Sequence, residues 1–170
     1  MQIVNIVASG DLNQRIDYSE LTPLHEKLLN NPEKYHGCYI RLSACKATLY
    51  KTGKFIFTGL KSPESVQETW DEFYNTLTSV ISITSPTPPK VNNIVSVHVL
   101  NHPVNLTKLC LTLSFDNVEY EPEQFPGLIL RKNGLVSLIF ASGKMIITGS
   151  TDPERSNRTF EEIQSIINNL

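Results

Sequence analysis

Apolar residues recur at two spacings along this chain, and the spacings predict which segments are helices and which are strands. Two segments carry apolar residues at alternating steps of three and four, which places them on one face of an α-helix. The stripes are Val66, Trp70, Phe73, Leu77 and Val80 in one segment and Phe160, Ile163, Ile167 and Leu170 in the other. Ser62-Pro63 and Asp152-Pro153 predict where these helices begin, because a capping side chain followed by proline favours a helix start. Trp70 is therefore predicted to be a core residue.

Shorter runs rich in β-branched and aromatic residues predict strands. The strand candidates are Cys38–Leu42, Ala47–Tyr50, Phe55–Thr58, Leu128–Arg131, Leu135–Phe140 and Met145–Thr148, with opening runs at Ile3–Ala8 and Ile94–Leu100. Short helical segments are expected at Leu21–Leu29 and Leu106–Leu113. Alternate strand residues point to opposite faces, and both sets are largely apolar here. We therefore expect helices to cover one face of the sheet and an exposed apolar face, typical of a binding surface, to remain.

The same order of elements occurs twice. The seven residues Tyr35, Arg41, Tyr50, Gly53, Lys54, Thr58 and Gly59 recur as Phe125, Arg131, Phe140, Gly143, Lys144, Thr148 and Gly149, each 90 positions later (125 minus 35). Asn5-Ile6-Val7 returns as Asn93-Ile94-Val95, 88 positions later (93 minus 5). We expect a first repeat over residues 1–84, a proline-rich connector over 85–90 and a second repeat over 91–170. Two such halves usually pack about a pseudo-twofold axis.

Composition narrows the class of protein without naming a function. The chain has 170 residues, is 40% hydrophobic and 19% charged, and carries a net charge of −2, an ordinary globular balance. No overall basic excess points to nucleic acid, although the distribution of charge over one face matters more than the sum. The three cysteines and four histidines show no metal-ligand spacing, and no catalytic motif is present. We expect an intracellular protein with reduced thiols, no cofactor, no enzymatic activity and no membrane association.

One continuous stretch of the second repeat resembles a known family. It runs Tyr120-Glu-Pro-Glu-Gln-Phe-Pro-Gly127, then Leu128-Ile-Leu-Arg131, then Ser137-Leu-Ile-Phe-Ala-Ser-Gly-Lys144-Met-Ile-Ile-Thr-Gly149. These segments are similar to the second repeat of the TATA-box-binding protein (TBP) family. The first repeat of this chain is similar, more loosely, to the first repeat of that family. The resemblance implies an α+β fold, a pseudo-twofold saddle in which a curved ten-stranded antiparallel sheet carries four helices on its convex face. The concave face of that saddle straddles the DNA minor groove.

The family's functional positions can be placed on this sequence residue by residue. The resemblance implies base contacts by Asn5, Val7, Ile56, Thr58, Asn93, Val95, Ile146 and Thr148, a first wedge of Tyr35 and Tyr50, and a second wedge of Phe125 and Phe140. It implies phosphate contacts by Lys34, Arg41, Lys54, Arg131 and Lys144, and a transcription factor B-like partner at Glu121 and Glu123. The implied role is promoter recognition and DNA bending in transcription initiation, with recruitment of RNA polymerase. A weak homodimer through the concave face is a further expectation.

The first repeat departs from the family pattern, and the departures leave alternatives open. The family has phenylalanine where this chain has Tyr35 and Tyr50, and Thr48 replaces an apolar residue. The first long helix is acidic, whereas eukaryotic members carry a basic helix there. One alternative is a divergent paralogue that acts mainly as a protein-binding scaffold with weak or altered DNA binding; another is a saddle domain serving as an accessory module of an enzyme. The motif that ends in Gln-Phe-Pro-Gly127 is archaeal-like, and the asparagine-rich composition also suits a large DNA virus. The expected site of transcription is therefore an archaeal nucleoid, a nucleus or a viral factory.

Overall fold

The computed structural model describes residues 1–31, 34–113 and 117–170 of the chain. These residues form two compact units. We call Asn5–Asn92 the N-terminal unit, and Met1–Val4 together with Asn93–Leu170 the C-terminal unit. No helix among the described residues is long and apolar enough to cross a lipid bilayer.

The two units contain similar elements in the same order. The first set is β1 (Gln2–Asp11), a 3₁₀ helix (Tyr18–Leu24), β2 (Gly37–Arg41), β3 (Lys46–Tyr50), β4 (Lys54–Leu60) and α1 (Glu64–Thr78). The second set is β5 (Thr87–Val99), α2 (Leu106–Thr112), β6 (Val118–Glu119), β7 (Gly127–Lys132), β8 (Leu135–Phe140), β9 (Lys144–Ser150) and α3 (Pro153–Asn168). Antiparallel strands lie in the order β2-β3-β4-β1 in the N-terminal unit and β5-β9-β8-β7-β6 in the C-terminal unit.

Side-chain hydrogen bonds lie at the start of both long helices. The Ser62 hydroxyl accepts a hydrogen bond from the Ser65 backbone N–H at 3.3 Å, and the Asp152 carboxylate accepts one from Glu154 N–H at 3.0 Å. Each contact satisfies a donor that the first helical turn cannot pair internally. The structure confirms Asp152 as an N-cap, whereas α1 begins one residue later than predicted, at Glu64, with Pro63 rather than Ser62 at its N-cap position.

The apolar stripes of the helices pack on one face of the strands. In the N-terminal unit, Trp70 of α1 is buried and its ring stacks on Phe55 of β4 at 5.3 Å, and Phe73 contacts the same ring at 4.9 Å. In the C-terminal unit, Ile163 and Ile167 of α3 belong to the core cluster that also contains residues of β7, β8 and β9. The prediction that Trp70 is a core residue is confirmed.

Among the residues that the structure describes, no helix lies on the opposite face of the strands, and alternation along each strand separates the two faces. Along β4, Phe55 and Phe57 are fully buried, whereas Ile56 and Thr58 between and after them remain partly exposed. We call the uncovered side of each unit its open face. It carries Val7, Ser9, Tyr39, Thr48, Tyr50, Ile56 and Thr58 in the N-terminal unit, and Val95, Val97, Ile129, Val136, Leu138, Phe140, Ile146 and Thr148 in the C-terminal unit.

The described residues form nine strands rather than the ten expected. In the C-terminal unit, Val118 of β6 pairs with Leu130 of β7. At the matching place in the N-terminal unit only one isolated bridge forms, between Leu28 and Ile40. The backbone on either side of this bridge still bonds to β2, because the Leu29 N–H donates to the Tyr39 carbonyl and the Lys27 carbonyl accepts from the Arg41 N–H, both at 2.8 Å. Beyond it, the Asn30 side chain bonds to the strand instead, donating to the Gly37 carbonyl and accepting from the Tyr39 N–H, both at 2.8 Å.

The first short helix is also different from its prediction. Helix was expected over Leu21–Leu29, but the structure has a 3₁₀ helix that begins at Tyr18 and ends at Leu24. Asp17 caps it by accepting from the Ser19 N–H, and Pro23 lies inside it. Proline lacks the backbone donor that continued α-helix requires, which favours a short, tight segment here.

Candidate nucleic-acid interface

The predicted base-contact residues share one face in each unit. In the N-terminal unit, Val7 of β1 lies opposite Thr58 of β4, and Ile56 is two residues from Thr58 on the same strand and face. In the C-terminal unit, Val95 and Ile146 occupy the open face with Thr148. The structure therefore brings each half of the predicted set together on a partly exposed, mainly apolar surface.

Each asparagine of the set is held by its own carbonyl oxygen. Asn5 Oδ1 accepts from the Gly59 N–H at 2.8 Å, and Asn93 Oδ1 accepts from the Gly149 N–H at 2.7 Å. Both glycines have positive φ, +102° and +99°, a region that favours glycine. Because the oxygen is engaged with backbone, the amide NH₂ is left as the group that can donate to a ligand.

The Asn93 amide also exchanges hydrogen bonds with Thr148. Its Nδ2 lies 3.1 Å from the Thr148 hydroxyl, and that hydroxyl lies 3.2 Å from Oδ1 of the same amide. The contact fixes the orientation of the Asn93 amide on the open face and uses one of its two N–H groups. The second N–H is left to donate to an acceptor atom on a groove floor.

The second wedge is an assembled pair of rings. Phe125 and Phe140 meet edge to face with centroids 5.8 Å apart and planes at 64°, an arrangement that aromatic rings prefer. Both rings lie over Gly127, where a Cβ atom would come within 2.8 Å of the Phe125 ring and 3.1 Å of the Phe140 ring. The absence of a Cβ atom at Gly127 therefore leaves room for the two rings.

The first wedge is arranged differently. Tyr35 is 57% exposed, and with Tyr50 it lines a cavity of about 840 Å³ that Lys34, Lys54 and Ile56 also line. The rings over Gly37, the counterpart of Gly127, are those of Tyr50 and Tyr39, at 3.6 and 3.7 Å from a Cβ built there. Sequence reasoning missed Tyr39; the signal was a tyrosine at the open-face position of β2 where β7 has Ile129.

The predicted phosphate-binding cations are exposed, but their surroundings differ. Arg131 donates to the Glu119 carboxylate at 3.1 Å and 3.2 Å, with both side chains more than half exposed. Arg41 and Lys144 are exposed, and Lys34 and Lys54 line the cavity beside Tyr35.

A further cation lies on the open face of the N-terminal unit. The Lys46 ammonium stands 4.7 Å from the centre of the Tyr39 ring, within the range of a cation–π contact. Lys46 of β3 pairs with Thr58 of β4. In the C-terminal unit the residue that pairs with the matching Thr148 is Val136, which is uncharged. Sequence reasoning missed Lys46; comparing the two repeats position by position would have found it.

The predicted acidic partner residues lie in a tight turn next to the second wedge. Glu121 and Glu123 are exposed. The Glu121 carbonyl accepts from both the Gln124 and Phe125 N–H groups at 2.9 Å. The turn thus positions Phe125 and two exposed carboxylates together.

The buried titratable groups lie outside this surface. Burial raises the pKa of the Cys38 and Cys45 thiols to about 11, so both stay protonated at neutral pH. Burial lowers the pKa of His98 to about 4. Within residues 1–31, 34–113 and 117–170, no three His, Cys, Asp or Glu side chains are grouped so that they could hold a metal ion.

Comparisons with known proteins agree with this geometry. The family model described as "Transcription factor TFIID (or TATA-binding protein, TBP)" matches residues 1–80 and 88–170. TATA-box-binding protein C of Halobacterium salinarum is 40% identical over 181 residues, covering 100% of this chain and 98% of its own, and the TATA-box-binding protein of Archaeoglobus fulgidus is 33% identical over 175 residues, covering 100% and 96%. The solved Methanococcus jannaschii TBP superposes with a TM-score of 0.84 at 32% identity, covering 99% of this chain and 98% of that one.

These matches confirm the predicted fold class, the α+β TBP saddle, with nine strands among the described residues in place of ten. They cover both repeats and nearly the full length of the relatives. The chain belongs to the TBP family of general transcription initiation factors.

Proposed function

We propose that this protein places its open faces on the minor groove of A·T-rich promoter DNA, bends the duplex, and recruits a transcription factor B-type partner and RNA polymerase. The observation that carries the proposal is the Phe125–Phe140 ring pair over Gly127, at the edge of a partly exposed apolar face. A soluble protein gains no stability by leaving two phenylalanine rings partly exposed, so their position favours a binding role.

The chemistry of the open face complements an A·T minor groove. That groove presents adenine N3 and thymine O2, which are acceptors, and lacks the guanine amino group. The Asn5 and Asn93 amides can donate to these acceptors, because their oxygens are engaged with backbone N–H groups. Val95 and Ile146 offer apolar contact but no acceptor, so a guanine amino group placed against them would lose a hydrogen bond.

The ring pair suits insertion between base pairs. Opening one base step costs roughly a few kcal/mol, and the bent duplex offsets this by covering more protein surface, a mechanism for which the TBP family is a standard example. Because the two rings already contact each other at 5.8 Å, little ordering is left for the bound state. We expect the C-terminal unit to kink DNA more effectively than the N-terminal unit, whose Tyr35 is 57% exposed.

The partner surface is supported by the turn that holds Phe125. Glu121 and Glu123 are exposed there, so a protein bound to them would lie beside the kinked DNA. We expect charge reversal at both positions to abolish capture of a transcription factor B-type protein while leaving DNA binding unchanged. Equal loss of both activities would contradict separate surfaces.

A gel shift with an A·T-rich duplex, paired with end-to-end energy transfer, tests the proposal. The protein should shift the duplex and raise the transfer efficiency. Phe140→Ala should weaken binding by roughly tenfold or more, about 1.4 kcal/mol. Phe160→Leu is the matched control, because Phe160 lies on α3, stacks on buried His98 and is away from the open face. Absence of any shift at low salt, with or without a transcription factor B-type protein, would overturn DNA binding.

Polar residues on the N-terminal open face favour a second candidate. Thr48 and Tyr39 occupy places where the C-terminal unit has Leu138 and Ile129. The N-terminal open face therefore offers DNA a more polar surface than the apolar one that the family pattern implies. A divergent paralogue acting mainly as a scaffold, with weak or altered DNA binding, would capture the transcription factor B-type protein yet shift the A·T-rich duplex weakly or not at all. The same gel-shift experiment therefore separates the two candidates.

A further inference from the structure

One row of open-face residues in the N-terminal unit is rich in hydroxyl groups. Ile56 of β4 lies between Ser9 of β1 and Thr48 of β3, and Thr48 lies opposite Tyr39 of β2. Neighbouring strands are ~4.8 Å apart, so the Ser9 and Thr48 side chains flank Ile56 closely. A ligand that contacts Ile56 therefore meets both hydroxyls.

The equivalent row of the C-terminal unit has no hydroxyl. There Ile146 of β9 lies between Val97 of β5 and Leu138 of β8, and Leu138 lies opposite Ile129 of β7. The central isoleucine is common to both rows, which fixes the comparison. The two units therefore have the same strand arrangement around this isoleucine, but its neighbours are polar in the N-terminal unit and apolar in the C-terminal unit.

The hydrogen-bonding state of the hydroxyls shows what they can offer. The Ser9 hydroxyl donates to Asn92 Oδ1 at 2.7 Å, so its remaining capacity is to accept. The Thr48 hydroxyl has no hydrogen-bond partner in the described part of the chain, and the Thr48 methyl group lies against Gly37, 2.8 Å from where a Cβ would be. Thr48 can therefore turn its hydroxyl proton either toward or away from a ligand.

We propose that the hydroxyl row, Ser9 and Thr48 around Ile56, lets the N-terminal unit accept a G·C pair in its half of the DNA site, while the C-terminal unit requires A·T. This inference rests on the proposed function. The guanine amino group is the donor that distinguishes G·C from A·T in the minor groove. Against Val97 and Leu138 it stays unpaired, whereas Ser9 and Thr48 supply acceptors. With an A·T pair, the Thr48 hydroxyl rotates and donates to adenine N3 or thymine O2.

The test measures equilibrium binding of the full chain to four short duplexes by fluorescence anisotropy. One duplex is all A·T, two carry a single G·C pair in one half or the other, and the fourth carries one in both halves. A mismatched pair typically costs 1–3 kcal/mol, so a G·C pair facing the C-terminal unit should weaken binding roughly 5- to 150-fold. At least one single-G·C duplex should bind within roughly fivefold of the all-A·T duplex. A protein that binds in both directions will tolerate either single substitution, but the double substitution must be penalised.

Two nearly isosteric substitutions make the assignment specific. Thr48→Val replaces the hydroxyl by a methyl group and should move the tolerated duplex into the penalised range, roughly 5-fold weaker or more relative to the all-A·T duplex bound by the same variant. Val97→Thr, beside Ile146, should relieve the penalty of the double-G·C duplex. Ser9→Ala combined with Thr48→Val should give a protein equally intolerant of G·C in both halves.

The outcomes separate this inference from the proposed function. If the wild-type protein binds the all-A·T duplex but Thr48→Val leaves every G·C penalty unchanged, the hydroxyl row does not set specificity and only this inference fails. If both single-G·C duplexes are penalised equally in the wild type, it fails as well. If no duplex binds, the proposed function is wrong, and the inference that rests on it is wrong as well.

Discussion

Acidification should destabilise this protein through one buried histidine. His98 is 3% exposed, its ring stacks on Phe160 at 4.6 Å, and its Nε2 lies 3.2 Å from the Ser96 hydroxyl. Burial lowers the pKa of His98 from 6.5 to about 4. The neutral form is therefore the one that the fold accommodates, and the unfolded chain binds a proton more readily.

The sign and size of the effect follow from this difference in pKa. Above pH 6.5 both states are neutral at His98 and its full stabilising contribution is present. As the pH falls from 6.5 toward 4, the unfolded state takes up the proton first, and stability drops by about 1.36 kcal/mol per pH unit. The total loss by pH 4 is roughly 3 kcal/mol, a large part of the 5–15 kcal/mol typical of a domain.

Urea denaturation between pH 7 and pH 4.5 measures this loss. The wild type should show a falling midpoint over that range. In His98→Leu the His98 share of the slope should vanish, because leucine binds no proton. His25→Leu serves as the control, since His25 is exposed at the end of the 3₁₀ helix. Parallel wild-type and His98→Leu curves would refute the reasoning.

Three further substitutions test glycine geometry and surface charge. Gly143→Ala should destabilise the fold by more than the roughly 1–3 kcal/mol of backbone strain alone, because φ is +87° and the new Cβ would come within 2.5 Å of the His102 carbonyl oxygen. Gly59→Ala, with φ of +102° and open space around it, should cost only that strain, so equal urea midpoints for the two variants would contradict the packing argument. Glu119→Gln releases Arg131 from its ion pair and should tighten DNA binding up to roughly fivefold at low salt, as expected for an exposed pair of about 0.2–1 kcal/mol. Titrating salt should close that gap, and an unchanged affinity at low salt would show that Arg131 does not reach the phosphates.

The regular parts of the fold could be predicted because their signals are local. Helical stripes such as Phe73 and Leu77, caps such as Asp152, and hairpin glycines such as Gly143 each follow from a few neighbouring residues. The duplication then placed the second copy of the long helix and of the three strands that precede it. The open face was also predictable, since alternation along β4 leaves Ile56 partly exposed.

The irregular parts depend on contacts between distant residues. Asn30 bonds to Gly37 and Tyr39 of β2 through its side chain, and no local pattern marks an asparagine for that role. The ring that joins Tyr50 over Gly37 comes from Tyr39, not from Tyr35, because register between β2 and β3 decides which side chains meet. The family resemblance implied a second wedge of Phe125 and Phe140, and these two rings do contact each other; their insertion into DNA stays a prediction.

Polarity differs between the two units on both faces of the strands. On the covered face, Ala8 and Ala47 of the N-terminal unit match Ser96 and Ser137 of the C-terminal unit, and all four are buried, so a hydroxyl there must find its hydrogen-bond partner inside the protein. On the open face, the adjacent matching positions hold Thr48 and Leu138, which differ in polarity. The Thr48 and Leu138 side chains remain partly exposed, so their polarity acts directly on a bound ligand. An asymmetric DNA site would match this difference between the two open faces, and binding in one direction is the expected consequence.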